Sequence, residues 1–153
     1  MGYLRCSCII IGILLDQFTK QFANNTLTFY QPVEIIPSVL NFHLVYNSGA
    51  AYGLFHNQRF FLLSVSLVII MGLVFFWHYF TKNMKFAMSW VLIGALGNFI
   101  DRFYYGYVID FIDIGIIPVF NIADICINIG ILFYIKEVLE EEFFSHKLKD
   151  VAS

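Results

Sequence analysis

The chain has 153 residues, of which 59% are apolar and only 13% charged, with a net charge of −2 and a mean hydropathy of +0.75. Soluble domains carry about 25% charged residues, and nine Lys/Arg with eleven Asp/Glu are too few to cover a folded surface of this size. Composition thus excludes a disordered chain, a nucleic-acid-binding surface and an ordinary soluble enzyme, and makes lipid the main solvent. Cys6, Cys8 and Cys126 lack the spacing of a zinc site or a redox CxxC and read as small membrane-embedded hydrophobes.

A spanning helix needs about 20 mostly apolar residues. The first candidate is 4–23. Its apolar run is short enough for an export signal, but Asp16 interrupts it and QFANN offers no A-x-A cleavage site, so it reads as a retained helix. Residues 24–59 are polar and aromatic. Their alternating runs VEII and NFHLVYN, punctuated by Pro32, Pro37, Asn47 and Gly49, predict a few short strands at the outer surface. The strongest span is 60–80, which has no formal charge. A third, 86–103, is short of apolar length before Asp101. An outer loop, 104–117, adds Asp110 and Asp113, and the last span is placed at 118–135, followed by a tail containing EVLEEE.

No repeat, low-complexity tract or linker divides the chain, so one domain over 1–153 is expected. Four spans put both termini and the 81–85 connection on one side. That side holds Arg5, Lys82, Lys85, Lys136, Lys147 and Lys149, against Lys20, Arg59 and Arg102 on the other, so the termini are expected inside.

Ionisable residues inside spans are functional candidates. Asp16 and Lys20 share a helix face at i, i+4; Asn98, Asp101 and Arg102 follow i, i+3, i+4; Asn121, Asp124 and Asn128 follow i, i+3, i+7. All three clusters fall at the outer ends of their spans, and Gly94 and Gly97 would let another helix approach closely. Each cluster also has a plainer reading. Asp16–Lys20 suits a structural ion pair, Asp101–Arg102 the headgroup layer, Asn121 and Asn128 interhelical hydrogen bonding, and Asp113 a solvated loop. Asp124 has no neighbour in sequence to neutralise it, and spacing leaves its partner open among Asp101, Asp110 and Asp113.

The chain has no HExxH, no Cys/His ligand pair, no G-x-S-x-G elbow and no Gly-rich phosphate loop, and its four histidines are scattered. Aspartate remains. Two carboxyls held close cannot both ionise cheaply, so one keeps a proton while the other polarises a water, which hydrolyses an amide without metal or cofactor. Competing readings are a proton-coupled transporter, for which the expected duplicated halves are missing, a metal-dependent membrane phosphotransferase, and a structural membrane protein that would leave so many polar groups at one depth unexplained.

The blocks LLDQFTK (14–20), VYNSGAAYG (45–53), GALGNFIDR (94–102), VIDF (108–111) and FNIAD (120–124) resemble, in order and membrane position, the lipoprotein signal peptidases, or signal peptidase II. The resemblance implies an all-α protein of the bacterial inner membrane: four transmembrane helices, cytoplasmic termini, and a small periplasmic β-cradle between helices 1 and 2. It implies an aspartyl endopeptidase that cuts prolipoproteins just before a cysteine carrying diacylglycerol, with membrane lipid around it and no cofactor, metal or nucleic acid. Carried over by motif, Asp110 and Asp124 are the catalytic pair; Asn98, Arg102 and Asn121 line the substrate site; Asp16, Lys20 and Asn47 support it; and Asp101 is structural. Gly49, Ala50 and Ala51 would lie near the substrate. Departures from the pattern are Ile125 where a serine is common, a short 112–119 connection and an acidic tail.

Overall fold

The structure, a computed structural model, describes residues 2–49, 55 and 58–152. Its elements run α1 (Gly2–Thr26), β1 (Val33–Ile36), β2 (Leu40–Asn47), α2 (Arg59–Phe75), α3 (Lys82–Tyr104), β3 (Val108–Asp113) and α4 (Ile122–Ala152), with a 3-10 turn over Phe76–Tyr79 after α2. Ala50, Ala51 and His56 lie outside the described residues.

The helices pack around α3, which lies against α1, α2 and, most extensively, α4. Glycines permit this. A Cβ on Gly94 would collide with the Ala123 carbonyl oxygen of α4, and one on Gly97 with the Asp16 carboxylate of α1. The opposite surfaces are apolar and uncovered: Leu14, Phe18, Val68, Val74 and Phe75 are all more than half exposed. Among the described residues, 3–26 and 59–79 are long and apolar enough to cross a membrane. Apolar area of this extent needs lipid as its solvent. Two of the four expected spans are thus long and apolar enough among the described residues, and α3 and α4 are not among them.

The sheet corrects the expectation of a cradle confined to the segment between the first two helices. It has three antiparallel strands in the order β1-β2-β3, and its third strand comes from the connection between α3 and α4 that was expected to be a loop. The first four residues of VIDFID are buried in succession, on both faces of the strand, which a solvated loop would not show. The β2–β3 register shifts by one residue between Phe42 and Val45, so that Val45 sits opposite Asp110 and Asn47 opposite Val108. Strand pairs share a face, so Asn47 and Asp110 become diagonal neighbours on one side.

The last helix also starts later than 118. Residues 112–120 fold back as a tight loop in which Phe120 and Ile112 exchange backbone hydrogen bonds of 2.8 and 3.0 Å. Asn121 then caps α4: its side-chain oxygen accepts from the Asp124 amide at 3.0 Å, and Asp124 Oδ2 accepts from the Asn121 amide at 3.2 Å. This reciprocal box satisfies two otherwise orphaned donors and fixes the helix start. At its far end α4 continues as helix through the acidic stretch expected to be a tail. There Glu137 accepts from Asn83 at 2.9 Å and so meets the N-terminus of α3, where Thr81 caps the Met84 amide at 3.1 Å.

Candidate active site

The site is built outward from Lys20. Its ammonium donates to Asp16 Oδ2 at 2.9 Å, Asp101 Oδ2 at 3.0 Å and Asn98 Oδ1 at 3.0 Å, and the side chain is 1% exposed. Three donors meet three acceptors, which makes burial of the charge tolerable. One lysine facing two carboxylates leaves net negative charge, and backbone amides take it up. Asp16 Oδ1 accepts from the Ala123 amide at 2.8 Å, in the first turn of α4 where the helix dipole is positive. Asp101 Oδ2 also accepts from the Ile109 amide in β3 at 3.2 Å.

Those two amides stand one residue before Asp124 and Asp110. Asp110 is buried in β3. Its Oδ1 accepts from Asn121 Nδ2 at 2.6 Å and its Oδ2 from Asn47 Nδ2 at 2.9 Å. Asp124, three residues into the N-terminal cap of α4, accepts at Oδ1 from Asn98 Nδ2 at 2.8 Å and at Oδ2 from the Asn121 amide. Asn121 thus touches both carboxylates, one through its side chain and one through its backbone. Burial, and then the nearby Asp124 charge, push the Asp110 carboxyl up to about 7, against the opposing pull of the amide donors from Asn47 and Asn121.

Asn47 Oδ1 accepts from the Gly49 amide at 3.0 Å, and the Gly49 carbonyl accepts from Arg102 Nη2 at 3.2 Å. Arg102 Nε is buried and has no hydrogen-bond partner among the described residues. Asp16, Lys20, Asn47, Gly49, Asn98, Asp101, Arg102, Asp110, Asn121 and Asp124 therefore form one connected polar cluster.

Two residues fall outside it. Asp113 is on β3 at an odd separation from Asp110 and so faces the other side. It is a strand end rather than a solvated loop residue: it accepts from the Gly115 amide at 2.8 Å and lies 3.7 Å from His43 Nδ1. Asn128, expected to bond between helices, turns its exposed side chain back to the Asp124 carbonyl of its own helix at 2.9 Å.

Sequence reasoning passed over Gln17 and Arg59. Gln17 Nε2 lies 2.9 Å from Asp101 Oδ1, 3.2 Å from Asp16 Oδ2 and 3.2 Å from the Gly97 carbonyl. The signal available was a neutral polar residue three before Lys20 in an apolar span. Arg59 binds the last carbonyls of α3, from Nε to Arg102 O at 3.0 Å and from Nη2 to Phe103 O at 2.6 Å. No local pattern ties it to a helix end so distant in sequence.

Asn121 thus links two carboxyls, those of Asp110 and Asp124, inside a protein with extensive exposed apolar surface. Residues 8–140 match the family described as Signal peptidase (SPase) II. The lipoprotein signal peptidase of Clostridium tetani is 33% identical over 91% of this chain and 94% of its own length, and that of Staphylococcus haemolyticus 38% identical over 91% and 94%. A bacterial membrane enzyme solved by the in meso method superposes with a TM-score of 0.86 at 34% identity, covering 91% of this chain and 89% of the other. The chain belongs to the signal peptidase II family, proteases that remove signal peptides from prolipoproteins.

Replacing Lys20 by Met should remove the cation shared by two buried carboxylates, Asp16 and Asp101. Truncating one partner of a buried ion pair costs about 3–5 kcal/mol. Thermal unfolding of Lys20→Met in detergent should show a large fall in Tm, partly restored by adding Asp16→Asn; an unchanged Tm for the single variant would contradict this account of the cluster.

Proposed function

We propose that the protein is a membrane aspartyl endopeptidase that removes the signal peptide from diacylglyceryl-modified prolipoproteins, cleaving before the lipidated cysteine. The observation that carries this reading is Asn121, whose side-chain amide donates to Asp110 and whose backbone N–H donates to Asp124. Asp124 accepts a proton from water as the water oxygen attacks the scissile carbonyl carbon. Asp110, the member carrying the proton, hydrogen-bonds the carbonyl oxygen and then protonates the leaving nitrogen as the carbon–nitrogen bond breaks. A proton passing from Asp124 to Asp110 resets the pair. Asn98 and Asn47 orient the two carboxyls, and Arg102 and Gly49 line the substrate side. Asp16, Lys20 and Asp101 act as the frame. No metal or cofactor enters the scheme.

A signal peptide and two acyl chains partition into lipid, so the substrate arrives laterally between helices. The reading has one domain whose four helices all cross the bacterial inner membrane, with both termini cytoplasmic and the site near the periplasmic face. The charge bias supports the orientation: the Lys82–Lys85 end of α3 and the Lys136 end of α4 lie together, away from the polar cluster. After replacement of the native cysteines, a cysteine at position 82 should resist an impermeant thiol reagent in intact cells and react after lysis. Labelling of intact cells would reverse the topology.

Asp110→Asn and Asp124→Asn should each abolish turnover while the protein remains folded in the membrane, and the double variant should be little worse than either, since members of one catalytic unit fail non-additively. Asp113→Asn should stay near wild type. Because Asp110 must hold its proton, turnover should fall as pH rises through about 7, on the alkaline limb of a bell-shaped profile. Wild-type turnover by Asp110→Asn would discard the pair.

Substrate class is tested with purified enzyme and one precursor in two forms. Each buried CH₂ of an acyl chain contributes about 0.8 kcal/mol of anchoring, so the diacylglyceryl form should be cut far faster than the unmodified one, with or without chelator. Equal rates would reject the lipidated substrate.

A further inference from the structure

Lys20, Asp16, Gln17 and Asp101 form a closed ring of side chains. Lys20 joins the two carboxylates at 2.9 and 3.0 Å, and Gln17 Nε2 joins them a second time, at 3.2 Å to the same Asp16 oxygen and at 2.9 Å to the other oxygen of Asp101. Gln17 Nε2 has two protons for three acceptors, so the one not on Asp101 is shared between Asp16 and the Gly97 carbonyl at 3.2 Å, which ties the ring to α3 at the position where no Cβ fits. Each carboxylate then extends an arm. That of Asp16 ends on the Ala123 amide, one residue before Asp124; that of Asp101 ends on the Ile109 amide, one residue before Asp110.

We infer that Gln17 is a positioning residue for the reaction: by closing this ring it sets the separation between the helix end that carries Asp124 and the strand that carries Asp110. The inference rests on the reading of those two aspartates as the catalytic pair. Its physical basis is repulsion between like charges. Asp16 and Asp101 are both buried, and the single positive charge of Lys20, shared between them, offsets only one of the two carboxylates. The Gln17 amide supplies the second tie. Without it the two arms move apart and carry the β3 and α4 backbones with them.

Separation also governs titration. The closer two carboxyls lie, the more the first ionisation resists the second and the wider the two apparent pKa values of the pair are split. The other charged groups facing the pair are Lys20 and Asp16 on α1 and Asp101 and Arg102 on α3, and none of these changes in a Gln17 variant.

The test uses the full-length enzyme and its lipid-modified precursor. Gln17→Met keeps the length and removes the donors. Its kcat should fall about ten- to a hundredfold, the range that an ångström of misplacement produces, with KM within about twofold because Gln17 touches no substrate. Its bell-shaped pH profile should narrow. An unchanged kcat and width would overturn the inference, and so would a loss of activity that tracks the folded fraction while the width stays as in wild type. Should Gln17→Met not fold, Gln17→Glu decides: a protonated carboxyl at position 17 donates to Asp101 while an ionised one repels it, so the kcat deficit of this variant should shrink as pH falls, and a constant deficit would overturn the inference. The two readings fail separately. Activity in Asp110→Asn or Asp124→Asn removes the catalytic pair itself, whereas loss there with a wild-type profile in Gln17→Met removes only the role of Gln17.

Discussion

A single buried ammonium group organises this protein. Lys20 sits on α1, yet its partners reach α3 directly and, through Asp16 and Asp101, the first turn of α4 and the middle of β3. A charge that deep is stable only when every donor is used. That condition demands two carboxylates and one amide from two helices in a fixed arrangement, and the arrangement holds the backbone beside Asp110 and Asp124. Stability and the geometry of the site are therefore the same constraint, and loosening one loosens the other.

The second constraint is register. Asp110 reaches Asn47 because one extra residue in β2, between Phe42 and Val45, brings Val45 opposite it. A slip of one residue would turn Asp110 to the other face of the sheet and Asp113 toward the site. The loop that folds Phe120 back onto Ile112 then delivers Asn121 to the same place, and the cap that Asn121 makes with Asp124 lets one residue end the loop, start the helix and bridge two carboxyls.

Lipid makes the economy of charge possible. The outward faces of α1 and α2 need no polar cover, so the few ionisable groups are concentrated inside, where low dielectric strengthens each contact and leaves an unpaired group costly.

Helices and candidate residues were legible in the sequence because both are local. Apolar runs of membrane length marked α1 and α2, the spacing of Asp16 and Lys20 put them on one face, and five ordered blocks pointed to the family. The third strand was hidden. VIDFID lacks the strict apolar–polar alternation of a half-buried strand, and its pairing depends on a partner some sixty residues away and on a one-residue shift. The partner of Asp124 was equally closed to spacing, since Asp101, Asp110 and Asp113 all lie within reach along the chain. Only tertiary structure separates them: Asp101 is consumed by Lys20 and Gln17, Asp113 faces away, and Asp110 shares Asn121. Periodicity determines which face a side chain occupies on its own element; what that face meets is decided by long-range packing and register, which no local pattern contains.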